Sequence, residues 1–398
     1  MTSYGKRYLL FLIILLGALS AFGPFVTDFY LPVMPSMASL FSTSASMVQL
    51  GLATSMVGLA VGQLIFGPLS DKWGRRPVLL ASMALFSLAA FVSLFSPNIQ
   101  FFNICRFLQG LGGAGGIVLS RSIATDCWSG RELAKSITII SAINGVAPVA
   151  APVIGGFTGQ FTGWKGIFII LLVIGVSLFV MSLLFRESFP IEKRISGSWK
   201  MVARSFLRLF RHRYFNIYLA VYGFGYCVLF GYLSSASFIV QDHFGFNEIQ
   251  FSLVFALNAF GSIIGSVLAL KFKEMKNAAF FAMSGIFISA GMQFLFSFIS
   301  DSFCIYESFT FLILLFLGFM FPSVTSLTME EGKEAVGSAS AILGTVGYLS
   351  GGLISPLVGF GDIYFTSAMV LFICSVGGLA FGFIAWRRIS VCSEKGNY

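Results

Sequence analysis

Apolar runs of about 20 residues recur along this chain from end to end, and each is long enough to cross about 30 Å of hydrocarbon as a helix. Twelve can be drawn, near residues 8–31, 46–69, 77–96, 99–121, 135–157, 164–185, 214–240, 249–270, 278–299, 303–326, 336–359 and 363–386. Little chain remains between them, so no soluble domain of any size fits. Only 10% of the residues are charged, against roughly 25% in soluble domains. The expected fold class is an all-α polytopic membrane protein, with twelve transmembrane helices in two six-helix bundles.

Charge placement sets the expected orientation. With the N-terminus inside, the cytoplasmic segments hold 23 of the 25 Lys and Arg residues; the outer loops hold only Lys165, and Arg106 falls inside a run. This asymmetry is the positive-inside pattern and places both termini in the cytoplasm. The net charge of +9 then reads as contact with anionic lipid headgroups. A nucleic-acid surface is not expected, because the charges are spread over short loops between apolar runs.

The N-terminus carries Lys6 and Arg7, an apolar core and small residues around Ala18 and Ser20. The core runs on to Leu31, too long for a cleaved signal peptide, and cleavage would leave an odd number of spans. The cysteines at 105, 127, 227, 304, 374 and 392 include no close pair, so neither a disulfide framework nor a metal site is expected. His212 and His243 are isolated, which argues against zinc. No metal cluster, triad or pair of catalytic carboxylates points to an enzyme.

Residues 186–213 form the longest hydrophilic stretch, with eight basic and two acidic residues. The expected domains are residues 1–185, a cytoplasmic linker 186–213, and residues 214–398. In the linker Lys200, Arg204 and Arg208 recur every four residues, while Trp199, Val202, Phe206, Leu209 and Phe210 fall largely on another side. That spacing predicts an amphipathic helix on the inner membrane surface, with a flexible tether as the plain alternative. The halves echo each other: "APVIGG" at 151–156 is matched by "SPLVG" at 355–359, aligning Pro152 with Pro356. Weak repetition with Gly/Pro interruptions at matching places marks secondary transporters.

"GPLSDKWGRRPVLL", residues 67–80, lies between the second and third runs. Gly67 and Gly74 permit a tight turn and close helix approach, and Asp71, Arg75 and Arg76 make a charged cluster at the inner surface. The stretch resembles the signature loop of the major facilitator superfamily. The corresponding loop after the eighth run, "GSVLALKFKEM", keeps Gly265 and basic residues but lacks the acidic and arginine pattern. "RFLQGLGGAGG" at 106–116 resembles the fourth-span Arg-x-x-Gln-Gly motif of proton-coupled members. "GVAPVAAPVIGG" at 145–156, with Pro148, Pro152, Gly155 and Gly156, resembles the fifth-span antiporter motif, Ala151 standing where Gly is usual. "TDFYLPVMP" at 27–35 is similar to the first span of Bcr/CflA-type multidrug efflux transporters. The resemblance implies a bacterial inner-membrane protein that exports small amphipathic compounds in exchange for protons, and an inner gate in which Arg75 meets Asp126. Gly110, Gly112 and Gly115 also satisfy Gly-x-Gly-x-x-Gly. That fingerprint requires a soluble βαβ unit, whereas here the glycines lie in a span and allow close helix packing; no nucleotide is expected.

Of 16 acidic residues this reading places only Asp28 inside a span, and of 25 basic ones only Arg106. A charged side chain at the bilayer centre costs about 2.5–3.5 kcal/mol on insertion scales, so both are expected to face the protein interior or a water-filled cavity. Asp28 is buried only if the first span tilts or continues past Pro32 towards Met37. The plain alternatives are a helix-end aspartate at the surface and a structural arginine between helices. The functional reading is that Asp28 exchanges a proton, because burial and a nearby guanidinium act on a carboxylate in opposite senses. Tyr30, Gln49, Gln109, Asn144 and Tyr222 are expected to line the substrate cavity, as polar groups in spans seek the interior. With 47 Phe and 12 Tyr, such a cavity suits flat apolar and cationic compounds. No cofactor is expected beyond the coupling proton. The expected partners are a small-molecule substrate and the lipid bilayer, with the chain a monomer. A specific metabolite, sugar or siderophore is the alternative cargo, and a membrane sensor that transports nothing is the alternative of another class.

Overall fold

The computed structural model describes residues 5–194, 206–333 and 336–394. Among these, every regular element is helical. The first run forms α1, Lys6–Thr27, then a 3-10 turn at Leu31–Val33 and a short α2, Met34–Leu40. Next come α3 (Ala45–Trp73), α4 (Arg75–Ser93) and α5 (Ile99–Cys127). The following stretch, Gly130–Leu184, is continuous by hydrogen bonding yet contains Gly163 at φ 64°, ψ −168°. As one helix its 55 residues would be about 80 Å long, more than twice the hydrocarbon thickness. Gly163, in a backbone region that glycine tolerates, divides it into α6 (130–162) and α7 (164–184). The second half holds α8 (Arg213–Phe238), which ends in a π turn at Ile239–His243, and then α9 (Glu248–Ala269) and α10 (Met275–Phe296). It closes with α11 (Phe303–Glu331), α12 (Val336–Ile354) and α13 (Ile363–Glu394).

Ten helical stretches among the described residues are long and apolar enough to cross a membrane. Gly130–Leu184 counts once among them but makes two crossings. Helix α5 is not among them because Arg106 and five glycines dilute its hydropathy, although its 29 residues suffice in length. With these two adjustments the described residues supply the twelve expected spans. Large apolar side chains such as Leu88, Ile104, Val146, Leu253, Phe260 and Ile288 are exposed along them. In water a surface like this would be an aggregation liability; against lipid tails it is matched.

Chain contacts divide the protein into two compact units, residues 1–43 with 50–200, and residues 44–49 with 201–398. Within the first, a Cβ on Gly58 of α3 would strike the Phe107 carbonyl of α5, and one on Gly110 of α5 would strike the Ser55 carbonyl of α3. Within the second, Gly265 of α9 meets the Leu315 carbonyl of α11, and Gly318 of α11 meets the Ser262 carbonyl of α9. The reciprocal pairs have the same spacing of three residues in both units. This is a structural repeat of α3–α5 in α9–α11, built on small residues that let backbones touch. The repeat is looser at the aligned prolines: Pro152 is carried inside α6, whereas α12 stops at Ile354, just before Pro356. Gly112 and Gly115, the other glycines of the dinucleotide-like pattern, pack on Phe86 and Ser82 of α4. The pattern is therefore a helix-packing surface. The linker helix read over Trp199 to Phe210 lies largely outside the described residues, of which 206–210 are helical.

Candidate functional site

The first unit contains two polar centres, one inside the apolar layer and one at a helix junction. The inner centre begins where α1 stops. Pro24 removes a backbone donor from α1, and Pro32 and Pro35 follow within a turn or two, so the i→i−4 ladder cannot continue. The Thr27 hydroxyl turns back onto the Gly23 carbonyl at 3.2 Å. Asp28 then takes the C-cap position, its N–H donating to the Pro24 carbonyl at 2.7 Å. Because the chain resumes as the 3-10 turn and α2, the apolar run extends from Arg7 to Leu40. The first span thus passes Pro32, which is the condition under which Asp28 is buried, and Asp28 is only 6% exposed. It caps neither Pro32 nor α2.

Arg106 of α5 is fully buried and points at this break. Its Nη2 donates to the Val26 carbonyl at 2.5 Å and to Ser55 Oγ of α3 at 3.3 Å. The Val26 carbonyl belongs to the last turn of α1, where acceptors lack helical partners and the helix dipole favours a cation. Nη1 donates to Gln109 Oε1 at 2.7 Å, and Gln109 in turn donates to Ser93 Oγ at 3.3 Å. The Arg-x-x-Gln spacing works because residues three apart share a helix face. The guanidinium lies 4.3 Å from the Tyr30 ring centroid and 5.5 Å from that of Phe168, a cation–aromatic arrangement that strengthens when desolvated. Phe168 in turn packs edge-on with Phe102 and Trp164, which also meet edge-on.

Among the described residues Asp28 takes part in no ion pair. Arg106 therefore binds the carbonyl two residues before Asp28 and not its carboxylate, while Tyr30 lies within electrostatic reach of both. Gly155 of α6 sits against the Phe29 carbonyl with no room for a Cβ, so the antiporter-like stretch packs directly on the break. Pro148 and Pro152 lie inside α6, and Gly156 is buried there. Tyr30, Gln109, Asp28 and Arg106 are thus brought together. Gln49 is buried near the start of α3 and Asn144 is half-buried on α6. Tyr222 belongs to the other unit, its hydroxyl 3.3 Å from that of Tyr226.

The second centre joins α3, α4, α5 and the segment after α7. Gly74 links α3 to α4 at φ 100°, a conformation open to glycine, and a Cβ there would meet Glu187 and Arg194. Arg75 is 6% exposed. Its Nε donates to Asp126 Oδ2 at 2.8 Å, and its Nη1 to Asp71 Oδ1 at 2.5 Å and Ser70 Oγ at 2.7 Å. The Phe189 ring lies 4.5 Å from the guanidinium carbon. Arg76 donates to the Leu183 carbonyl at 2.8 Å, and Gly67 makes ordinary contact with Val118. Glu187 is absent from the sequence reading. Its carboxylate accepts from the backbone N–H groups of Arg75 at 2.9 Å and Arg76 at 3.2 Å, satisfying the first donors of α4. Its signal was its place just after an apolar run, in "FRESFP".

The reading that Asp28 is the only acidic residue within a span is corrected by α11. Glu307 lies inside that helix and inside the predicted run 303–326, and both of its carboxyl oxygens are shielded from solvent. One acid among so many Phe and Leu barely lowers the hydropathy of the run.

A sequence profile of the Major Facilitator Superfamily matches residues 10–356. The MFS-type transporter YdgK of Bacillus subtilis is 36% identical, over 94% of this chain and 95% of its own. The bicyclomycin resistance protein homolog of Haemophilus influenzae is 29% identical, over 87% and 88%. Among solved structures, a bacterial homolog of the human lysosomal transporter Spinster superposes with a TM-score of 0.74 at 16% identity, covering 96% of this chain and 98% of that one. The xylose transporter XylE of Escherichia coli gives 0.73 at 12% identity, with the same coverage.

The Arg106 geometry predicts that Arg106→Met lowers the melting temperature of the purified protein, since each buried group left unpaired costs about 1–3 kcal/mol. Arg106→Lys should fall between it and the parent, because an ammonium lacks the planar fork. A methionine variant that melts with the parent would show that these bonds do not hold α1, α3 and α5 together.

Proposed function

We propose that this chain, which belongs to the Major Facilitator Superfamily, is a proton-driven exporter of small amphipathic compounds. The observation that carries the reading is Asp28: a buried carboxylate in the break of a membrane-spanning run, beside a fully buried arginine but not neutralised by it. A carboxylate that serves only packing has no reason to stand there, since its cost is met by no ion pair among the described residues. The name of the Haemophilus influenzae relative, together with the multidrug resistance protein D of Escherichia coli at 26% identity, supports drug-like cargo. Charge asymmetry supports a bacterial inner membrane location with both termini in the cytoplasm. We read the chain as a monomer with no cofactor beyond the proton.

The mechanism follows from charge. With a proton on Asp28 the break is neutral; without it, a negative charge stands beside the Arg106-capped end of α1. Two conformations that hydrate the break differently then differ in proton affinity. A ligand shifts such an equilibrium only by its differential affinity for the two states. A gradient of one pH unit is worth about 1.4 kcal/mol per proton, enough for roughly a tenfold cargo gradient. Hydrolysis of ATP is not needed.

Asp28→Asn should abolish movement of ethidium, a flat aromatic cation, driven by an imposed pH gradient in proteoliposomes, while gradient-free ethidium exchange persists. Full gradient-driven movement in this variant would remove Asp28 from the mechanism.

We assign Asp71, Arg75 and Asp126 to an inner gate that is held with Glu187 in the conformation described. Partly exposed ion pairs contribute only about 0–1 kcal/mol each, so the gate biases an equilibrium and does not lock it. Arg75→Ala should slow ethidium transport several-fold, by roughly the exponential of about 1 kcal/mol, without changing ethidium affinity. Unchanged rates would leave these charges with a role in topology alone.

A further inference from the structure

The second unit holds an acid of its own within the apolar layer. Glu307 stands near the start of α11, a helix long and apolar enough to span a membrane. Neither carboxyl oxygen reaches solvent, and neither has a hydrogen-bond partner among the described residues. No ion pair among those residues includes it. Ordinary buried acids in a folded chain are paired or hydrogen-bonded, because an isolated charge in a low-dielectric interior is costly. Glu307 is neither.

Its surroundings are polar, and among the described residues no cation pairs with it. From α8 comes Tyr232, 4% exposed, and from α9 Asn258, 1% exposed; Asn258 Nδ2 donates to the Tyr232 hydroxyl at 3.1 Å. The Tyr232 hydroxyl lies within electrostatic reach of the Glu307 carboxyl, and the Asn258 side-chain amide approaches that carboxyl without meeting full hydrogen-bond geometry. Asn258 Oδ1 is itself buried and unpartnered. From α10, Gln293 donates to Thr310 of α11 at 3.0 Å and leaves its own Oε1 unpartnered. Tyr306, next to Glu307 in sequence, has its ring 5.9 Å from that of Tyr364 of α13. Tyr364 stacks at 4.6 Å on His243, whose Nε2 lies 2.5 Å from Asp301 Oδ1 on the exposed end of the unit. The titratable groups around the site are therefore Tyr232, Tyr306 and, beyond it, Tyr364.

A carboxylic acid donates one proton and a carboxylate only accepts. The groups beside Glu307 include acceptors with spare capacity, the Asn258 carbonyl oxygen and the Tyr232 hydroxyl oxygen, and among the described residues no guanidinium or ammonium pairs with it. The arrangement has room for a proton on Glu307 and no counter-ion for a charge. We propose that Glu307 is a second proton-exchanging site, contained wholly in the second unit, with Tyr232 and Asn258 as the groups that receive its hydrogen bond. When this region hydrates, the O–H bond breaks and the proton passes to water, leaving the carboxylate; re-protonation reverses the step. Nothing is oxidised or reduced. The inference rests on the reading of the chain as proton-driven, and it gives that reading one exchangeable acid in each unit.

The test is pH-difference infrared spectroscopy on the purified full chain in liposomes, reading the C=O stretch of protonated carboxyl groups. Glu307→Gln, which conserves shape, should lose one titrating band, Asp28→Asn should lose a different one, and the double variant both. Tyr232→Phe should move the Glu307 band without removing it, a readout that remains if Glu307→Gln fails to insert. Retention of every titrating band in Glu307→Gln, or no movement in Tyr232→Phe, overturns the second site. Loss of the Asp28 band alone would do so while leaving the coupling role of Asp28 intact. Loss of the Glu307 band with no change in Asp28→Asn would support the second site and count against Asp28.

Discussion

A guanidinium inside a membrane span persists only where the protein replaces its hydration, and the first unit is arranged around that requirement. Arg106 needs several acceptors at once, on different helices. One is the Val26 carbonyl, which is free only because α1 ends at Thr27. Another is Ser55, which comes within reach because Gly110 of α5 lies directly on the Ser55 backbone. The third is Gln109, one turn along the same helix and anchored to Ser93 of α4. Two of the three acceptors, Ser55 and Gln109, are side chains that a substitution can remove; the Val26 carbonyl depends instead on where α1 ends. The same termination of α1 that exposes the Val26 carbonyl puts Asp28 in the break.

The prolines and glycines explain why this arrangement is local and strong. Proline interrupts the first span at a defined depth, and Gly155 lets α6 touch the Phe29 carbonyl at the interruption. Glycine pairs fix α3 against α5, and the same device recurs between α9 and α11. The second unit repeats this scaffold but not the chemistry. At the junction of α9 and α10, the counterpart of the α3–α4 junction where Arg75 meets Asp71 and Asp126, its ion pair among the described residues is Lys276 with Glu274 at 3.2 Å. Its buried acid stands elsewhere, at the start of α11.

The spans were legible because membrane crossing demands length and apolarity, which composition reports directly. Helix α5 was legible despite its glycines, and the boundary between α6 and α7 was readable from polar residues near Gly163. The proximity of Asp28 to Arg106 was legible from the cost of placing a charge inside a span, and that of Arg106 to Gln109 from their spacing of three. What Arg106 binds was not: its partners are a backbone carbonyl and a serine, and neither carries a sequence signature. Glu187 escaped notice because a carboxylate receiving N–H groups from another helix depends on a long-range approach. Glu307 was visible as a letter inside a predicted span, but its isolation emerges only when the neighbours on α8 and α9 are known.

In the proposed mechanism cargo and proton are coupled through Asp28, the buried carboxylate in the break of the first span. Proton release on ligand binding reads this without any membrane gradient. Ethidium would be added to the purified protein in weakly buffered detergent solution with a pH indicator present. Binding should release protons, and Asp28→Asn should reduce the release while ethidium still binds. Binding with no release, or with equal release from the parent and Asp28→Asn, would contradict this coupling.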